Sequence, residues 1–217
     1  MLAQTIAIVP FRSLQGGKNR LAPHLKNGAR PAFVEAMLKD TLQSLQNCVD
    51  LDRVMLVSDD REAATVARSI GVTAIAEPEG CTGLNPVVQS TAQELVTQCK
   101  HLLIVHGDLP LLRPQELKQM LDAHASVNCD PKLTIAPDRH HSGTNCLLVS
   151  PPAVMRFYYG KGSLAKHLEF AEKHNIQSQI IDLPGASLDI DEIADLQLLK
   201  QHGQLAKAKH VHTFLMK

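Results

Sequence analysis

The sequence is built on an alternation. Short apolar runs rich in β-branched residues take turns with amphipathic stretches of several helical turns. "QTIAIVP" (4–10) reads as a buried strand. "PAFVEAMLKDTLQSLQNC" (31–48) then places Phe33, Val34, Met37, Leu38, Leu42 and Leu45 at helical spacing, with Pro31 acceptable in the first turn. "RVMLVSDD" (53–60) is a second strand, followed by a helix over "REAATVARSIG" (61–71) that Gly71 closes. The pattern continues with strands at 72–77, 101–107, 131–137, 144–151 and 176–184, and with helices at 83–99, 113–125, 163–175 and 191–203. Strands separated by helices of this length predict an α/β fold with a mostly parallel sheet covered on both faces. No internal repeat or low-complexity linker divides the 217 residues, so one domain, 1–217, is expected.

Composition limits the partners. Lys plus Arg and Asp plus Glu number 22 each, so the chain lacks the basic excess of a nucleic-acid or anionic-membrane binder, and any anion site must be local. The cysteines, Cys48, Cys81, Cys99, Cys129 and Cys146, are odd in number and show no C-x-x-C spacing. That favours free thiols in a reducing compartment over a disulfide framework. No apolar run approaches the ~18 residues that span a bilayer, and the N-terminus is not built as a signal peptide. A cytoplasmic protein with no membrane and no nucleic-acid partner is expected.

In a sheet of this kind, ligands sit beyond the carboxyl ends of the strands. Four strand ends carry chemistry. After the first comes "RSLQGGKNR" (12–20), with Gly16, Gly17, Lys18 and Arg20 and no carboxylate. Such a glycine turn can aim backbone N–H groups at a phosphate, with Lys18 and Arg20 neutralising a triphosphate; a plain exposed loop with solvated cations is the alternative. Neither the G-x-G-x-x-G nor the Walker pattern fits. After the fourth comes "HGDLP", which puts Asp108 at the sheet edge, as a ligand or as a turn residue. "LDID" sets Asp189 and Asp191 two residues apart, on one side of an extended segment. Their repulsion, with Asp108 nearby, calls for a cation, and Mg2+ favours such hard oxygen ligands. Asp191 as a helix cap is the other reading. Finally, "GKGS" (160–163) opens a helix whose free N–H groups and Ser163 suit a phosphate or carboxylate, or simply form a serine cap. His140 and His141 have no metal-ligand spacing and are expected in a solvated loop or at the substrate.

The order of "VPFRSLQGGKNRLAP", "GLN", "HGDLPLL", "APDRHHSGTNCLL", "YYGKGSLAKHL" and "LDIDEIADL" resembles the 2-phospho-L-lactate guanylyltransferase family of coenzyme F-420 biosynthesis, across roughly residues 5–200. More distantly it is similar to molybdenum-cofactor guanylyltransferases. The resemblance implies a single-domain, Rossmann-like (GT-A-like) three-layer α/β/α nucleotidyltransferase. It implies transfer of a guanylyl group from GTP to a small phosphorylated acid, with pyrophosphate released. It places metal binding on Asp108, Asp189 and Asp191, with one or two Mg2+ ions, and substrate contacts on Thr144, Gly160 and Ser163. Gly16, Gly17, Lys18 and Asn85 fall on its nucleotide site, and Lys18, Arg20 and Asp108 on its catalytic groups. The chain departs from its relatives in the Gly16–Gly17 pair, in Lys161 and in His141. The last two bear on whether the acid is 2-phospho-L-lactate, phosphoenolpyruvate or 3-phospho-D-glycerate. Guanine selection is expected from backbone groups near "EPEGCTGLN" (77–85). A homodimer is an option for the assembly. The competing readings are another nucleotidyltransferase of this fold and a non-catalytic nucleotide-binding module.

Overall fold

Apolar runs too short for helices pair into one sheet because only a ladder satisfies their backbone polar groups once buried. The computed structural model describes residues 3–25, 28–201 and 208–216. Its strands are β1 (Ala3–Pro10), β2 (Arg53–Val57), β3 (Thr73–Ile75), β4 (Cys99–Val105), β5 (Lys132–Pro137), β6 (Thr144–Ser150) and β7 (Gln177–Ile180). Its helices are α1 (Arg30–Gln46), α2 (Arg61–Ser69), α3 (Leu84–Leu95), α4 (Pro114–Ser126), α5 (Ser163–Lys173), α6 (Ile193–Gln201) and α7 (Lys209–Leu215). The strand order is β3-β2-β1-β4-β6-β5-β7. Only β6 runs antiparallel to its neighbours, β4 and β5. The mostly parallel three-layer fold expected from the alternation is therefore present.

Alternate side chains of β1 face opposite layers. Ala7 and Val9 pack with α1, α2, α4, α6 and α7, while Ile6 and Ile8 pack with α3 and α5. Both faces are fully buried, which explains why the strand reads as an unbroken apolar run.

The reversal at β6 positions the site. Because β6 starts where β4 ends, with Cys146 opposite Val105, it brings Thr144 and Asn145 to the carboxyl edge. The glycine loop after β1 and Asp108 after β4 lie at that same edge.

Three boundaries differ from expectation. The helix expected at 83–99 stops at Leu95, and Cys99 joins β4 opposite Ala3, where the ladder takes it. The last strand stops at Ile180, leaving an irregular segment before α6. The helix expected from Asp191 begins at Ile193, because the Asp195 carboxylate accepts from the N–H groups of Asp191 (2.9 Å) and Glu192 (2.7 Å). The "AKAKHVHTFLMK" tail, expected as a frayed helix end or a subunit contact, instead folds back on its own chain over its described residues, 208–216. The buried Asp40 carboxylate accepts from the N–H groups of His210 and Val211, both at 2.9 Å, and Phe214 packs on Phe33.

A polar knot lies beneath the sheet. Buried His124 joins Thr134 Oγ1 through Nδ1 (2.8 Å) and Ser150 Oγ through Nε2 (2.7 Å). Burial, with His101 and Lys132 nearby, lowers its pKa to about 3. The unfolded chain binds this proton near pH 6.5 and the folded chain does not. Stability should therefore be intact above about pH 6.5 and fall as the pH drops toward 3, by up to about 1.4 kcal/mol per unit for this residue. Denaturant unfolding between pH 7 and 4 should show the slope, and His124→Gln should reduce it, leaving the part that buried His167 and half-buried His101 contribute. An unchanged slope in the variant would contradict the assignment.

Candidate active site

The site grows from the ends of the central strands. After β1, the chain turns through Gly16 and Gly17 (φ 79°) into a short 3-10 helix (Asn19–His24), with Lys18 in the left-handed region at φ 51°. The loop is tied down by Asp60, which accepts from the Leu14 N–H (2.8 Å) while also capping α2 through the N–H groups of Glu62 and Ala63. The loop and the ends of β2, β3 and β4 enclose an open cleft of about 900 Å³. Gly16, Gly17, Lys18, Asp59, Glu77, His106 and Asp108 are among its walls. That is the size of a ligand site.

The loop cations are not unpaired, as the sequence suggested. Lys18 Nζ contacts both the Asp108 and the Asp191 carboxylates, and its side chain is only 11% exposed. Arg20 reaches Glu192 in an exposed pair, of the kind that contributes little. The basic loop is thus fastened to the 191–192 segment through residues distant in sequence. Burial works against the Lys18 charge, but Asp108 and Asp191 outweigh it and hold its pKa well above the ordinary value. Burial also opposes ionisation of Asp108, yet Lys18 draws its pKa below the usual carboxylate range. Asp189 goes the other way: burial and the Asp108 charge raise it, against the hydrogen bond from Asn145 (3.2 Å).

The three aspartates are thus electrostatic neighbours. Among the described residues, however, no three His, Cys, Asp or Glu side chains gather closely enough to hold a metal ion alone. Asp108 Oδ1 is buried and accepts no hydrogen bond. His106 Nε2 and Tyr159 OH are buried without partners too, and their rings lie 5.3 Å apart. Unsatisfied buried polar atoms are costly, and these three lie around one strand end, a place suited to a bound ligand or water.

The residues expected at the acid are brought together but mostly used by the protein. Ser163 and Thr144 are buried. Thr144 Oγ1 meets His167 Nδ1 at 3.1 Å, and His167 Nε2 accepts from the Tyr158 N–H at 2.9 Å. The proton of this neutral ring is therefore on Nδ1, and burial, with His106 and Lys166 nearby, lowers its pKa to about 4. The α5 N–H groups expected to be free are partly taken, that of Ser163 by the Gly160 carbonyl (3.0 Å) and that of Leu164 by the Ser142 carbonyl (3.2 Å). Gly160 is exposed at φ 112°. Asn85 is engaged by the protein as well: its side-chain amide donates to the Tyr159 carbonyl (3.1 Å) and accepts from the Tyr159 N–H (2.6 Å). It thereby pins the aromatic segment that carries Tyr159.

Residues 5–217 match the protein family described as guanylyl transferase CofC like. The chain belongs to this family. It is 34% identical over 197 residues to the phosphoenolpyruvate guanylyltransferase of Conexibacter woesei, covering 91% of this chain and 87% of that one. It is 30% identical over 214 residues to the 2-phospho-L-lactate guanylyltransferase of Methanothermobacter thermautotrophicus, covering 99% and 91%. A cytidylyltransferase structure from Leptospira borgpetersenii shares the fold, with a TM-score of 0.63 at 14% identity over 98% of this chain and 93% of that one. The protein is a nucleotidyltransferase, as its sequence motifs implied. No helix among the described residues is long and apolar enough to cross a membrane.

Several residues brace the carboxyl edge through partners that the sequence does not show, most of them in the 138–145 loop that it does single out. Arg139 Nη2 pairs with Asp195 at 2.6 Å, joining the β5–β6 loop to the start of α6. Asp138 shapes that loop by accepting from the Ser142 N–H at 2.8 Å, while His140 and His141 lie exposed on it. Asn145 donates to the Ala186 carbonyl (2.9 Å) as well as to Asp189. Gly185 is held by Glu116 Oε1 through its N–H (2.6 Å). Its "LPGAS" context looks like an ordinary turn, and only the fold shows the close approach. A Cβ there would stand 2.2 Å from the Leu111 carbonyl oxygen and 2.3 Å from Glu116 Oε2. Gly185→Ala should therefore lower stability by about 2 kcal/mol or more, because backbone must move. It should also lower activity by shifting Asp189 and Asp191. Thermal unfolding reads the first effect, and an unchanged midpoint would contradict it.

Proposed function

We propose that this enzyme transfers the guanylyl group of GTP to the phosphate of a small phosphorylated acid and releases pyrophosphate. The observation that carries the reading is the Lys18-centred group of Asp108, Asp191 and nearby Asp189 at the carboxyl edge, where the 900 Å³ cleft meets the start of β6. Relatives of this chain named for phosphoenolpyruvate and for 2-phospho-L-lactate support an acid of that size. We take 2-phospho-L-lactate as the first candidate, with phosphoenolpyruvate and 3-phospho-D-glycerate as the others. The product serves deazaflavin coenzyme F-420 biosynthesis.

In this reading the triphosphate lies on the glycine loop, and Lys18 leaves the carboxylates for the phosphates, joined by Arg20. The acid approaches from the β6 side, where Thr144, Gly160 and Ser163 shape the floor and His106 and Tyr159 offer unpaired polar atoms. A phosphate oxygen of the acid attacks the α-phosphorus of GTP, and the bond to the bridging oxygen of pyrophosphate breaks. A phosphate is already ionised at neutral pH, so the protein's task is alignment and charge neutralisation rather than proton abstraction. The donor set fits Mg2+: Asp108, Asp189 and Asp191 offer hard oxygens, one of them buried and unpaired, and substrate phosphates and water can complete the shell. Bound there, the ion would supply charge neutralisation at the transferring phosphoryl group.

The test is pyrophosphate release with GTP and Mg2+, run separately with the three acids and with ATP and CTP as controls. One acid with GTP alone should give strong turnover. Asp108→Asn should reduce it by about a hundredfold or more, the usual loss when a preorganised electrostatic contact is removed, while the unfolding midpoint stays within a few degrees. Silence with all three acids from protein that binds GTP would overturn the acid assignment, and full activity in the variant would overturn the role of Asp108.

A further inference from the structure

The strand order gives the nucleotide cleft a direction. Lys18 and Asp108 mark the β4 end. Asp59 and Glu77 follow β2 and β3, on the far side of β1. Three strand spacings separate β4 from β3, roughly 14 Å at about 4.8 Å each. A nucleotide with its phosphates over the glycine loop therefore extends its base toward β2 and β3. The two carboxylates among the cleft walls there are Asp59 and Glu77.

Glu77 is placed for recognition. It is half-buried, and its backbone N–H donates to Asp59 Oδ1 at 3.0 Å, which fixes the turn that carries it. Among the described residues, its own carboxylate accepts no hydrogen bond. Burial and the Asp59 charge raise its pKa, against Arg12. It is a carboxylate with no protein donor among those residues, facing a ligand cleft.

Guanine supplies what it lacks. The Watson–Crick edge of guanine carries two adjacent donors, N1–H and the N2 amino group, which one carboxylate can accept side by side. Adenine and cytosine present a ring-nitrogen lone pair there, which a carboxylate repels. We infer that Glu77 reads the guanine base by accepting from N1–H and N2–H, with Asp59 as its positioning residue. This rests on the GTP reading above, and it assigns selection to a side chain where the sequence suggested backbone groups.

Equilibrium binding of GTP and of inosine triphosphate, which lacks the N2 amine, tests it without knowledge of the acid. The wild-type protein should prefer GTP by about tenfold to a hundredfold, the value of one charge-assisted hydrogen bond. Glu77→Ala should bring that ratio close to one, and Glu79→Ala, two residues along, should leave it at the wild-type value. A ratio unchanged in Glu77→Ala, or no preference in the wild type, overturns the inference while leaving GTP as a ligand. Failure of the wild type to bind GTP at all overturns the GTP reading itself.

Discussion

One ammonium group sets the arrangement of the carboxyl edge. Asp108, Asp189 and Asp191 converge there from two parts of the chain, and mutual repulsion would drive them apart. Lys18 prevents this by contacting Asp108 and Asp191 at once. The same contacts fold the glycine loop down over the cleft and hold the segment before α6 against it. Such contacts contribute modestly to net stability, because desolvation offsets attraction, and with two carboxylates Lys18 keeps a partner when either one is replaced. Its value here lies in keeping an acidic site assembled in the absence of ligand.

The scaffold makes that site rigid on one side and exchangeable on the other. Asp108 follows a strand buried on both faces. Asp189 is held by Asn145 at the start of β6, and Asp195 anchors the backbone of residues 191 and 192 while Arg139 holds Asp195. The loop that carries Lys18 is anchored at both ends, by buried Leu14 and Leu21 in the core and by Asp60 at the Leu14 N–H, while the Lys18 side chain between them is held by ionic contacts alone. A lysine ammonium is a point charge on a flexible stem, suited to exchanging carboxylate partners for phosphate oxygens. The charge balance of the site can therefore be kept when an anion and a cation enter together.

Much of the architecture was legible from periodicity. The α/β alternation gave the sheet, and the rule that ligands sit at strand ends singled out Asp108, Lys18, Asp189 and Asp191, which the fold brings together at one edge. What periodicity could not show was pairing between distant residues. Lys18 looked unpaired because its partners lie 90 and 173 positions away. Nothing local reveals the clamp of Asn85 on Tyr159, 74 positions away. Gly185 looks ordinary in sequence, and Arg139 stands out there only as part of its loop, since the close approach of the one and the Asp195 partner of the other exist only after the chain has folded. The antiparallel course of β6 was equally hidden, because direction leaves no trace in a short buried run, yet that reversal brings Asn145 to Asp189.

The central claim is that Lys18 is the resident counter-ion of the acidic cluster and yields its place when a triphosphate arrives. The most direct measurement is Mn2+ binding followed by its paramagnetic signal, with and without GTP, in the wild-type protein and in Lys18→Met. The account predicts weak binding to the wild type alone, much tighter binding with GTP present, and tighter nucleotide-free binding in the variant. Equally tight binding to the wild type with and without GTP, or no gain in the variant, would contradict it.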